Sequence, residues 1–241
     1  MKNIPDKSID MIFSDLPYGV TAKNKWDSII PFEPMWEQMK RIIKDNGIIL
    51  LFGQNLFSAK LILSNEKMYK YTIIWKKTTP TNFLNANRMP MRVHEDIMVF
   101  YKSKPTYNPQ KTTGHIRKVS KAEHKRNSIV TEDYNEHVLT TYDSTERFPT
   151  DVWEFSTDKQ KSAIHPTQKP IDLCRYAIKT YSNIGDTVLD ITCGSGTIPL
   201  AAKLEGRNYI GFDNGVCERE EMYGKPWADI AKERIEKELN Q

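Results

Sequence analysis

A chain of 241 residues, 39% apolar and 27% charged, can bury one core, with room for a subdomain. It holds no apolar run of membrane-spanning length and no apolar core of a signal peptide near its start, so a helical membrane protein is excluded and a cytoplasmic one expected. The net charge of +4 hides an uneven spread: residues 76–127 carry twelve Lys/Arg and three Asp/Glu, against 23 and 28 elsewhere, which suggests a polyanionic partner.

Ile9 to Phe13 is an apolar run of strand length, with consecutive apolar residues as in a strand buried on both faces. Asp15-Leu16-Pro17-Tyr18 cannot continue it. Pro17 lacks a donor and Gly19 permits positive φ, so the chain turns at the strand's carboxyl edge. Ligands bind at that edge in open α/β sheets. A carboxylate, a carbonyl before a proline and an aromatic ring converge there, which suits a flat base with an amino group.

Pro34 to Asp45 reads as a helix, with Met35, Met39, Ile42 and Ile43 at helical spacing and Gly47 suited to its C-terminal cap. Strands are expected at Ile48–Phe52, Tyr71–Trp75 and Ile97–Tyr101, with a short helix from Leu56 to Ser64. From Lys102 to about Thr157 the periodicity decays, and a stretch this long without elements is functional or disordered. Its basic residues, together with those just before it, are candidate DNA contacts: Lys76, Arg88, Arg92, Lys111, Arg117, Lys118, Lys121, Lys125 and Arg126. Lys111 to Asn127 is expected to be mobile until DNA binds. The aromatics near Phe148 and Trp153 are expected to pack rather than read bases.

Order resumes at His165-Pro-Thr-Gln-Lys-Pro170, where Pro170 opens a helix bearing Leu173, Ala177, Ile178 and Tyr181. A buried strand, Thr187–Ile191, runs into Cys193-Gly194-Ser195-Gly196-Thr197 and a further helix. The glycines let backbone approach a ligand, and the helix N-terminus favours an anionic group such as a carboxylate. The dinucleotide fingerprint is broken, since Pro199 stands at its third glycine. Asp213 ends the next strand, Tyr209–Phe212, where a ribose's hydroxyls would sit. Trp227 to Leu239 is an amphipathic helix. Alternating strands and helices make this an α/β chain with a mostly parallel sheet and right-handed crossovers. Three cysteines, Cys174, Cys193 and Cys217, form no close pair, so neither a disulfide framework nor a metal site is expected.

Asp15-Leu16-Pro17-Tyr18, His165-Pro-Thr-Gln-Lys-Pro170 and the Asp190 to Thr197 loop, in that order, resemble the permuted (beta) class of S-adenosylmethionine-dependent DNA amino-methyltransferases. Trp75-Lys76 and His94-Glu95 look like later motifs of its catalytic half. The resemblance covers nearly the whole chain. It implies a Rossmann-like methyltransferase fold, circularly permuted, with helices on both faces of the sheet. Residues 1–101 would be the target-base half, 102–157 the target-recognition region and 158–241 the cofactor half. Asp15 and the Leu16 carbonyl would accept the two hydrogens of the target amine, Pro17 would set the loop and Tyr18 would stack on the base. S-adenosylmethionine would lie against His165, Thr167, Lys169, Asp190, Thr192, Cys193, Gly194, Ser195, Gly196, Thr197, Asp213 and Asn214. Asp at the first motif position leans towards adenine N6.

The chain departs from the pattern in places. Leu16 replaces a proline, and Thr192 stands where the glycine loop usually has an aromatic. Family members usually carry an upstream strand ending in an acid that contacts the cofactor's adenine, so a start further upstream is expected. The partner implied is double-stranded DNA, with a homodimer and pairing with a restriction endonuclease as further expectations. Alternatives are a cytosine-N4 enzyme, an enzyme acting on RNA or single strands, a non-catalytic DNA-binding relative with an incomplete cofactor site, and a nicotinamide-dependent oxidoreductase.

Overall fold

The computed structural model describes residues 1–19, 28–120, 141–157, 168–217 and 222–239. These form two compact units, Met1–Asn108 with Asp151–Gln241, and Pro109–Thr150.

The larger unit is built on a seven-stranded sheet. Its strands are β1 (Ile9–Ser14), β2 (Ile43–Gly53), β3 (Tyr69–Thr81), β4 (Arg92–Tyr101), β7 (Val152–Phe155), β8 (Thr187–Asp190) and β9 (Asn208–Gly211), in the spatial order β7-β3-β4-β2-β1-β8-β9. Only β4 runs against the others. The helices are α1 (Phe32–Ile42), α2 (Asn55–Leu63), α3 (Ile171–Tyr181), α4 (Thr197–Leu204) and α5 (Trp227–Leu239).

Side chains alternate across a strand, and here both faces are buried. Met11 and Phe13 of β1, Ile48, Leu50 and Phe52 of β2, and Ile97 and Val99 of β4 pack on one face with Leu173, Ala177 and Ile178 of α3 and Ile198 and Ala201 of α4. Ile12, Ile49, Leu51, Met98 and Phe100 point the other way, onto Met35, Trp36, Met39 and Ile42 of α1 and Phe57 and Leu61 of α2. This double burial is why the strands read as unbroken apolar runs.

The first helix ends earlier than its periodicity implies. Ile43 is already extended, at φ −72° and ψ 138°, and pairs with Ile9. The register then shifts, so that Met11 opposes Ile48 and residues 44–47 form a bulge. Lys44 reaches Asp10, and Asp45 pairs with Lys7 and Lys102. Gly47 is therefore a strand glycine rather than a helix cap. A Cβ there would lie 2.7 Å from the Ile43 side chain and 3.0 Å from the Asp10 carbonyl.

The chain leaves β1 towards β2 on one side and leaves β8 towards β9 on the other, with α1 and α4 on opposite faces. The carboxyl ends of β1 and β8 thus form a topological switch point, the usual ligand crevice of such a sheet.

The smaller unit contains a two-stranded antiparallel ribbon, β5 (Lys118–Ser120) with β6 (Tyr142–Ser144), and a bridge from Thr112 to Arg147. It is narrower than the 102–157 region expected from sequence. Val152–Phe155 pairs instead with β3, and Trp153 is buried in the main core against Tyr176 and Tyr181. Part of the stretch expected to be mobile, Lys118–Ser120, is strand; residues 121–127 lie outside the described residues.

Candidate active site

Asp15 follows β1 directly, and Asp190 ends β8. Asp15 is held from both oxygens. The Tyr18 hydroxyl donates to Oδ1 at 2.7 Å, and the Lys169 ammonium donates to Oδ2 at 2.6 Å. Gly19 has φ 70°, which closes the turn as its lack of a Cβ permits. Leu16, in place of the usual proline, is buried in the cluster that contains Ile12, Met35 and Phe57. The Tyr18 ring leans on Phe57 at 4.9 Å between centroids.

Lys169 is expected at the cofactor, and its ammonium lies at the Asp15 loop. It also sits 3.2 Å from Glu95 Oε2 and 4.8 Å over the Phe52 ring. Lys77, itself buried, donates to the other Glu95 oxygen. The result is a buried row of alternating charge, Asp15, Lys169, Glu95, Lys77. Burial works against each charge and the neighbours oppose it. For Lys169 the two carboxylates prevail and its pKa rises above that of an ordinary lysine. For Glu95 the two ammonium groups prevail and the carboxyl stays below its usual value. For Asp15 burial prevails over Lys169, and the carboxyl is raised.

Sequence reasoning picked out His94-Glu95 as a motif of the catalytic half but missed its contact with Lys169, and missed Lys77 altogether. A signal was present: Glu95-Asp96 precedes the apolar run Ile97–Phe100, and a carboxylate entering a buried strand requires a cation.

The glycine loop is tied to the same place. Thr192 Oγ1 donates to the Asp15 carbonyl at 3.0 Å, and Ser14 Oγ accepts the Ile191 N–H at 2.9 Å. Thr192 is thus a bridge between the two loops. Asp190 accepts the Thr192 N–H at 3.1 Å. Asp213 accepts the N–H of Gly194 and of Gly215, each at 2.8 Å, and so fixes the glycine loop to the end of β9. Gly196 has φ 79° and precedes α4, where Arg234 of α5 donates to the Ser195 carbonyl and to Thr197 Oγ1. Ser195 Oγ donates to Gln168 at 3.2 Å. Burial raises the Cys193 thiol, far from a thiolate nucleophile. Asn214 is exposed beside Asp213, and His165 and Thr167 lie outside the described residues.

The basic candidates divide. Lys76 pairs with Glu154, Arg92 reaches Gln54, Lys111 pairs with Glu146 and lies over the exposed Phe148 ring, and Arg117 makes a bidentate pair with Asp143. Arg88 and Lys118 are exposed and make no ion pair among the described residues. Lys121, Lys125 and Arg126 lie outside the described residues. Among the described residues no acidic, His or Cys cluster could hold a metal, and no helix is long and apolar enough to cross a membrane.

Residues 9–218 match the family model of the N6/N4 DNA methylases. The type II methyltransferase M.HpaI of Haemophilus parainfluenzae is 30% identical over 253 residues, covering 100% of this chain and 72% of its own. The DNA adenine methyltransferase YhdJ of Escherichia coli is 26% identical, over 88% of this chain and 74% of its own. The solved structure of the cytosine-N4-specific PvuII DNA methyltransferase superposes with a TM-score of 0.61 at 14% identity, over 98% of this chain and 88% of its own, and shows the fold alone. The two loops joined through Thr192 sit at the switch point of a methyltransferase fold, and the chain belongs to the N6/N4 DNA methylase family, whose cofactor is S-adenosylmethionine.

Proposed function

We propose that the chain methylates the exocyclic N6 amine of an adenine flipped out of double-stranded DNA, in the cytoplasm. The observation that carries this reading is the Asp15 carboxylate, fixed by Tyr18 and Lys169 at the end of β1 and joined to the glycine loop through Thr192.

The donor set suits S-adenosylmethionine. Three carboxylates, Asp15, Asp190 and Asp213, lie close enough for the first and last to raise the second, which burial already pushes up to about 7. Such a negative crevice suits a molecule carrying a sulfonium and an ammonium. The backbone N–H groups at the start of α4 suit its carboxylate. Asp190, Thr192, Gly194 to Thr197 and Asp213 would hold it. When bound, the cofactor supplies an electrophilic methyl group.

The residues of this chain supply position and charge. An adenine amine is a poor nucleophile because its lone pair is delocalised into the ring. Asp15 and the Leu16 carbonyl accept its two hydrogens and favour a more tetrahedral nitrogen, while Tyr18 stacks on the base. A base inside a duplex cannot reach this loop, so it must be flipped out. Asp rather than Ser at position 15, together with the similarity to an adenine methyltransferase, supports adenine over cytosine.

Asp15→Ala should retain most DNA affinity and slow transfer by a factor on the order of 10²–10³, the scale of one missing transition-state hydrogen bond. Near-wild-type turnover would remove Asp15 from the mechanism.

A further inference from the structure

Asp15 has a difficulty in its present arrangement. Both of its oxygens already accept a strong hydrogen bond, one from Tyr18 and one from Lys169. A target amine must share or displace one of these bonds. Charge-assisted bonds such as Lys169 to Asp15 are among the stronger ones, so displacing the ammonium from Oδ2 is costly unless that charge finds another carboxylate.

Glu95 is placed to be that carboxylate. Its Oε1 is anchored by Lys77, so the side chain is held from behind. Its Oε2 is buried and has no well-formed hydrogen bond among the described residues. The nearest cation is Lys169 Nζ, 3.2 Å away. A buried carboxylate oxygen that has an ion pair at 3.2 Å but no well-formed hydrogen bond is costly, and Lys169 already lies within reach of it. The Lys169 and Glu95 side chains are 9% and 12% exposed, so water is a poor substitute for either partner.

Resting on the adenine reading above, we propose that Glu95 is a positioning residue that receives the Lys169 ammonium when the target amine takes Asp15. Lys169 then has two stations. Without the base it holds Asp15 aimed. With the base bound it moves onto Glu95 Oε2, which frees Asp15 Oδ2 while keeping a positive charge nearby. Lys77 keeps Glu95 in place throughout. Binding the amine thereby exchanges one charge-assisted bond for another rather than losing one.

The test is a double-mutant cycle read by single-turnover methyl transfer to duplex DNA. Glu95→Gln keeps the shape and an acceptor oxygen but removes the charge that Lys169 would move to. It should lower the transfer rate about 10- to 100-fold with little change in cofactor or DNA affinity. Glu95→Asp should recover most of the rate. In a Lys169→Met background, Glu95→Gln should cost less than about threefold, since no ammonium remains to be moved. An equal cost in both backgrounds, an unchanged rate, or no recovery with Asp would overturn the proposal while wild-type transfer to adenine stands. A wild-type enzyme that transfers no methyl to DNA would instead overturn the adenine reading, and this proposal with it.

Discussion

At the scale of single residues the site is a set of carboxylates kept in unlike states. Asp15 is braced by Tyr18, and the hydroxyl can be removed without removing the ring. Tyr18→Phe should leave base stacking and lower the transfer rate about fivefold, the effect of one neutral-donor hydrogen bond of roughly 1 kcal/mol; an unchanged rate would mean that Lys169 alone aims the carboxylate. Asp190 is the second case. Burial raises its carboxyl to about 7, against the hydrogen bonds from Thr192 and Ser14. Between the ordinary carboxylate value and about 7, the folded chain holds a proton that the unfolded chain has lost. Stability therefore falls as pH rises across that window. Asp190→Asn should flatten this part of the stability profile, measured by denaturant unfolding at successive pH values. An unaltered slope would place the effect on another group. Asp15, Asp190 and Asp213 were legible in the sequence because each lies at the carboxyl end of a short apolar strand. Lys169 was legible as a motif residue but not by its contact. Which carboxylate a lysine meets across 154 positions depends on the sheet order, which one strand alone does not reveal.

At the scale of elements, the glycine loop before α4 is tightly constrained. Gly196 lies at φ 79°, and a Cβ there would come 2.7 Å from that of Ala231 on α5. Left-handed backbone strain and overpacking act together, so Gly196→Ala should destabilise the fold by about 2–4 kcal/mol. Thermal unfolding would measure it, and an unchanged midpoint would show that α5 can move away. Six of the seven strands of the large sheet and the helices packed on it were readable from apolar runs and period, and Trp227–Leu239 forms as expected, but β7 was not read as a strand. The end of α1 was not. Ile43 has helical spacing, but pairing with Ile9 draws it into β2, and a cross-strand partner 34 residues away leaves no local mark.

At the scale of the whole molecule, charge decides where nucleic acid can bind. The basic segment was legible as composition, but not its neutralisation. Asp143 and Glu146, which lie beyond residues 76–127, pair with Arg117 and Lys111. Replacing Arg88 and Lys118 together by Gln should therefore reduce the salt slope of DNA binding by about 0.9 for each phosphate that is no longer neutralised, more than replacing Arg117 and Lys111. An identical slope in all variants would assign this charge to solubility. On this reading a base amine is methylated at the Asp15 loop. The most direct test is nucleoside mass spectrometry of duplex DNA incubated with the enzyme and S-adenosylmethionine. The account predicts N6-methyladenine with the wild type and almost none with Asp15→Ala; N4-methylcytosine instead, or equal adenine methylation by both proteins, would contradict it.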